Sequence, residues 1–282
     1  MFKPSLGVSV NAIKLLGFID GEYRVCVHPE FYDSLISAKQ CGIEYAEVSL
    51  CGPYCASLFT DELLDDIVEK IIKSGMKVTV HMPFGKPWND LATQWDTDRG
   101  EIVKFCGKIM NKLKPCSPEV FVFHPGGQEL NDSNSEKVFD NLFKSAEELT
   151  TLTDAKVCIE NMVRSKVVET VDQMLVLLEN APSVNCVLDV NHLLHDKTDD
   201  AILRIGKRIK HLHISDYDFI NERHMMPGDG KIDWMRLIAC LDEIGYDGIF
   251  NYEIGARKYG YTMQDIKDNY EKLFAQYHSL KK

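Results

Sequence analysis

The sequence predicts an α/β fold, a single (β/α)8 TIM barrel spanning residues 1–282, and three observations lead there. Its 282 residues fall in the range where a barrel of roughly 250 residues forms one domain. Eight apolar, β-branched runs recur along the chain, separated by segments of helical periodicity, the alternation of repeated βα units. Histidines and carboxylates stand repeatedly at the carboxyl ends of those runs.

The strand candidates, in order, are SLGVSV (5–10), EYAEVSL (44–50), KVTVHM (77–82), EVFVFH (119–124), KVCIEN (156–161), NCVLDV (185–190), IKHLHIS (209–215) and GIFNYEI (248–254). Helices are expected near 29–41, 61–74, 97–113, 135–151, 168–180, 198–208, 232–244 and 263–279. The segment beginning at Asp61 shows the pattern: acidic residues in the first turn, apolar residues three or four apart, and Gly75 after the end. No linker or low-complexity tract interrupts the series. The longest connection without periodicity runs from Asp216 to Gly230, beyond the seventh strand, and long loops inside compact domains are usually functional.

Composition narrows the classes of function. With 45% hydrophobic and 27% charged residues, and no stretch near the roughly 20 apolar residues of a membrane span, the chain reads as soluble with no membrane partner. The start, MFKPSLGVSV, lacks a charged region followed by a long apolar run, so a cytoplasmic location and nine free thiols are expected. Cys51 and Cys55 form a CxxxC pair, which we read as small buried residues near a strand end. A formal net charge of −11 disfavours nucleic acid as a partner. Assembly is left open, a homo-oligomer included.

In a parallel sheet covered on both faces, a histidine or carboxylate near a strand end is costly unless it is paired or ligated. Strands three to eight end, respectively, in His81, His124, Glu160, Asp189, His213 and Glu253. A barrel brings these ends to one mouth, where enzymes of this architecture place their active sites. A lone strand histidine is more often a satisfied core residue than a ligand, but six strand ends in succession weaken that reading. Three carboxylates drawn together drive their own pKa values upward, and a divalent cation is the simplest way to keep them ionised. Glu160, Asp189, His213 and Glu253 make an oxygen-rich metal-ligand set with one imidazole, which suits Mn, Mg or Co better than a closed structural zinc site. Glu47 shares a strand face with Tyr45 and Ser49, and that mixed set leaves open whether the face points into the barrel.

The segments HMPFG (81–85), HPGG (124–127), IEN (159–161), LDVNH (188–192), HISD (213–216), RHMMPGDGKIDW (223–234) and YEI (252–254) together resemble the xylose isomerase-like barrels. That group contains sugar and sugar-phosphate isomerases and epimerases and the endonuclease IV family of abasic-site nucleases. The resemblance implies an isomerase or epimerase of a small sugar or sugar phosphate, using a divalent metal (Mn, Mg, Co or Zn) and proton transfer through a metal-stabilised enediolate. Glu160, Asp189, His213 and Glu253 would ligate the metal, Glu160 and Glu253 would also move protons, and His81, His124, His192 and His224 would hold substrate hydroxyls. The alternative is a zinc-dependent abasic-site endonuclease, with His81, His124 and Glu160 on a second ion and His192, Glu222 and His224 on a third. Glu222 stands where the nuclease pattern has aspartate, HMPFGKPW departs from its tyrosine-bearing segment, and ENMVRSK lacks its Gly-rich stretch.

Several loop residues are weighed and left outside the catalytic set. Asp216 either orients a histidine or caps the loop that follows it. Lys86, Trp88 and Arg223 stand in loops above the mouth and could close over substrate. Arg257 and Lys258 follow the last strand, where many barrels bind phosphate, but ARKYG has no Gly-rich anion-binding turn.

Overall fold

A computed structural model describes residues 1–51, 56–84, 90–127, 129–163 and 165–281. Among the described residues ten strands form: β1 (Ser5–Asn11), β2 (Ile13–Ile19), β3 (Glu22–Val27), β4 (Tyr45–Ser49), β5 (Lys77–His81), β6 (Val120–Phe123), β7 (Lys156–Glu160), β8 (Asn185–Asp189), β9 (Ile209–Ile214) and β10 (Ile249–Tyr252). Eight of them close into a barrel in the order β1-β10-β9-β8-β7-β6-β5-β4, and every neighbouring pair is parallel. The expected (β/α)8 barrel and all eight expected strands are therefore present.

The helices are α1 (Phe31–Gln40), α2 (Asp61–Ser74), α3 (Asp96–Leu113), α4 (Ser135–Thr150), α5 (Val171–Asn180), α6 (Thr198–Ile205), α7 (Trp234–Glu243), the single turn α8 (Ala256–Tyr259) and α9 (Met263–Leu280). The caps explain why α2 has its bounds: the Thr60 hydroxyl accepts from Leu63 N at 3.2 Å, and Gly75 ends the helix at φ 63°. Its apolar stripe, Leu64, Ile67 and Ile71, is buried against the sheet side of the chain's main core. Inside the barrel, Val120, Val122, Cys158 and Val187 form a separate small apolar plug. The eight described cysteines are free thiols; Cys55 lies outside the described residues. Among the described residues no helix is long and apolar enough to cross a membrane.

One element escaped the strand-and-helix alternation. Between β1 and α1 the chain makes an antiparallel β2–β3 hairpin, with Asp20 at φ 53° and Gly21 at φ 84°. Positive φ at both central residues is the type I′ geometry that Asp-Gly favours, so that dipeptide between apolar runs is the signal that marks the hairpin.

The 216–230 connection is organised by Asp216, which sits fully buried at its start. Its carboxylate accepts from Tyr217 N (2.8 Å), Gly228 N (2.7 Å), Ile232 N (3.1 Å) and Trp234 Nε1 (2.8 Å). Of the two readings of this residue, the loop cap is the one the contacts support. Gly230 is required beside it, because a Cβ there would collide with the Asp216 carboxylate. Replacing Asp216 with Ala strands several buried donors and is expected to cost about 3 kcal/mol of unfolding free energy. Gly230→Ala should act in the same direction. Urea unfolding measures both, and wild-type midpoints would contradict this account of the loop.

Candidate active site

A two-residue period carries the interior of the barrel up to its mouth. Cys158 and Val187 belong to the apolar plug, and two residues further on stand Glu160 and Asp189. In the same way Val122 leads to His124, buried Thr79 to His81, His211 to His213, and Asn251 to Glu253. Residues distant in sequence thus meet at the floor of a cavity of about 650 Å³ at the carboxyl ends of the strands.

Glu160 is the hub. One of its oxygens, Oε2, lies 3.3 Å from His81 Nε2 and 3.1 Å from His124 Nε2; the other, Oε1, lies 3.0 Å from His213 Nδ1 and 3.5 Å from His192 Nδ1. Glu253 Oε2 approaches the same His213 Nδ1, at 3.1 Å. Glu160, Asp189, His213 and Glu253 each present a ligand atom within 4.8 Å of the others, so the four residues expected to ligate a metal are brought together. His81, His124 and Glu160 form a second such group.

The electrostatics fit a cation at the central group. Burial pushes the Asp189 carboxyl up to about 7, a rise that His192 opposes and that Glu253 and Glu160 reinforce. Asp189 Oδ2 is buried and accepts no hydrogen bond among the described residues, its contact being an ion pair with His192 Nε2 at 3.3 Å. Burial acts to raise Glu160 as well, but His213 and His124 outweigh it and hold the group well below the usual carboxylate range. Glu253 is brought down to about 2 against the same burial, chiefly by His213. A buried carboxylate oxygen that accepts no hydrogen bond, beside two ionised carboxylates and an imidazole, is a donor set for a divalent ion.

The rim of the cavity carries two more imidazoles. His192 Nδ1–H donates to the Asn161 carbonyl at 2.9 Å, and His224 Nδ1–H donates to the Glu253 carbonyl at 3.0 Å. Their Nε2 atoms meet Glu222 Oε1 at 3.4 and 2.9 Å. Acceptors at both ring nitrogens favour the imidazolium: despite burial, Asp189 and Glu222 raise His192 to about 10, and Glu222 and Glu253 raise His224 to about 9. His224 holds its position at φ 49°, a left-handed conformation uncommon outside glycine. Although Glu222 touches both rings, His192, Glu222 and His224 are not among the groups of described residues that gather ligand atoms within 4.8 Å.

Other expected residues fall elsewhere. Arg223 pairs with Asp218 at 2.9 Å and so turns away from the cavity, while Lys258 lies over the Tyr259 ring. Lys86, Trp88 and the Arg257 side chain lie outside the described residues. Asn11, Ser49, Cys51, Phe84 and Asp90 line the cavity and were not among the candidates for it. Asn11 ends β1 and Ser49 ends β4, so the strand-end rule applied to the first two strands would have found them. Phe84 stacks on His124 with centroids 4.2 Å apart, a contact no strand-end rule reveals.

Comparison with known proteins agrees with this architecture. Uncharacterized protein MJ1311 of Methanocaldococcus jannaschii is 28% identical over 192 residues, 63% of this chain and 64% of that protein, so the chain spans under two thirds of that relative's length. Fructoselysine 3-epimerase of Escherichia coli O157:H7 is 33% identical over 51 residues, 18% of each chain. The D-psicose 3-epimerase of Clostridium cellulolyticum H10, solved with D-tagatose, shares the fold with a TM-score of 0.70 at 14% identity over 98% of both chains. The family model for the xylose isomerase-like TIM barrel matches residues 35–276, and the chain belongs to that family.

Proposed function

We propose that this chain is a divalent-metal-dependent sugar epimerase or isomerase that moves a proton at a carbon beside a carbonyl. The observation that carries the reading is the convergence of Glu160 and Glu253 on one imidazole nitrogen, at 3.0 and 3.1 Å, at the floor of a sugar-sized cavity. Strand β10 neighbours β9 on one side and β7 lies beyond β8 on the other, so the two glutamates approach from two directions. The sugar epimerases among the relatives and fold neighbours support the same class.

Glu160, Asp189, His213 and Glu253 would hold the ion. When bound, the ion supplies electrostatic stabilisation for negative charge developing next to the carbonyl. Glu160 and Glu253 take and return the proton, one from each face for epimerisation. His81 and His124, 3.3 and 3.1 Å from Glu160 Oε2, orient that carboxylate. His192 and His224 donate to substrate oxygens and fix which carbon faces the glutamates. A small sugar or sugar phosphate fits this arrangement; Mn, Mg, Co and Zn are the candidate ions.

The grouping of His81, His124 and Glu160 favours one second reading, a zinc-dependent abasic-site endonuclease with more than one ion. The net charge of −11 and the looser His192, Glu222 and His224 trio weigh against it.

Incubated with D-tagatose or D-psicose in deuterated water, the metal-loaded protein should introduce deuterium at the carbon beside the carbonyl. Glu160→Gln and Glu253→Gln should each slow that exchange by about 10²–10⁴-fold. Undiminished exchange in both variants would exclude the proposed roles. Chelation should abolish exchange, and restoring the ion to about 100 times its Kd should raise unfolding free energy by about 2.7 kcal/mol. Elemental analysis completes the test: one ion per chain without cleavage of abasic DNA supports the epimerase, whereas several zinc ions with cleavage support the nuclease.

A further inference from the structure

Below the central group lies a buried polar layer that the proton-transfer chemistry does not use. Glu47, on β4, is fully buried and faces the barrel interior. Its Oε2 accepts from His213 Nε2 at 3.0 Å and His211 Nε2 at 2.8 Å; its Oε1 accepts from Ser9 Oγ at 2.8 Å and Asn251 Nδ2 at 3.2 Å. Asn251 also donates to Ser9 Oγ at 2.9 Å. Gly7, on β1, leaves room for this amide, because a Cβ there would lie 2.8 Å from Asn251 Oδ1.

Two features of this layer matter. A carboxylate offers about four lone-pair directions, and here the donors from Ser9, Asn251, His211 and His213 fill them. Glu47, His211 and His213 also bring ligand atoms within 4.8 Å of one another, but an ion there would have to displace those hydrogen bonds. Second, a proton on His213 Nε2 donated to Glu47 leaves the Nδ1 lone pair available to an ion shared with the oxygens of Glu160 and Glu253, which lie 3.0 and 3.1 Å from Nδ1. An imidazole free to rotate or to change tautomer would present that lone pair only part of the time.

Resting on the reading of the central group as a metal site, we propose that Glu47 is a positioning residue. It fixes the tautomer and ring orientation of His213, as the carboxylate of a carboxylate–histidine–metal relay, and is not itself a ligand. His211 donates to the same oxygen from below, while Ser9 and Asn251 hold the other.

The test is metal binding, with catalysis measured separately. Glu47→Gln keeps the volume and should weaken Co2+ affinity by about 10–100-fold, the usual effect of losing such a partner, and should shift the visible Co2+ spectrum. His211→Asn perturbs the same buried layer while leaving the Glu47–His213 bond, and should keep the wild-type spectrum and affinity. Equal losses in the two variants would mean that Glu47 acts only through core stability and would overturn the proposal. Wild-type affinity in Glu47→Gln, or loss of a second bound ion in that variant, would overturn it too. Should Glu47→Gln not fold, long-range 1H–15N correlation of the wild-type protein loaded with Mg2+ decides: His213 protonated at Nε2 supports the proposal and an unprotonated Nε2 overturns it. A protein that binds the ion through a fixed His213 yet exchanges no substrate proton would instead remove the epimerase reading and leave this one standing.

Discussion

Burying the Glu160 carboxylate among His81, His124, His192 and His213 sets the terms for everything around it. A carboxylate withdrawn from water costs several kcal/mol unless compensated by charge and hydrogen bonds. With Asp189 and Glu253 beside it, imidazoles offset part of that cost, and Asp189 Oδ2, buried without a hydrogen bond and paired only with His192 Nε2 at 3.3 Å, marks where compensation is incomplete among the described residues. A cation at the centre would resolve the imbalance; without one the burden falls to protons on the histidines and on Asp189.

Much of the surrounding backbone serves to hold these charges still. The Asn161 side chain clasps β8, donating to the Asp189 carbonyl at 3.0 Å and accepting from Asp189 N at 2.7 Å, while its own carbonyl takes the His192 proton. Asp90 accepts from Gly127 N at 3.2 Å and so holds the segment after His124, where Gly126 at φ 137° leaves no space for a Cβ against that carboxylate. Asp216 does the same for the loop that delivers Glu222 and His224. Buried carboxylates that accept backbone N–H bonds are thus used as rivets near the mouth, distinct from the carboxylates that converge on His213.

Eight parallel strands leave the interior too narrow for anything but side chains, and the chain fills it in layers. One step below the cluster around His213, which makes the cavity floor, Val122, Cys158 and Val187 line an apolar side and Glu47, His211 and Asn251 a polar side, with Val187 the register partner of His211.

The barrel and its polar mouth were legible in the sequence because both follow from local rules. Alternating strand and helix periods announce βα units, and a histidine or carboxylate ending an apolar run is conspicuous where burial demands apolar residues. The hairpin between β1 and α1 obeyed an equally local rule, an Asp-Gly turn, yet it lay outside the barrel's period. Contacts between strands were beyond such rules. Whether Glu47 faces inward, whether Asp216 meets a histidine or a loop, and whether Arg223 reaches over the mouth depend on register, twist and loop path, which join residues far apart in the chain. The sequence alone determined the barrel and which residue types stand at its strand ends, since strand period and burial act on neighbours. Only the tertiary structure decided that Glu160 and Glu253 share one nitrogen of His213 and that Glu47 holds the other, since closure of the barrel sets those distances.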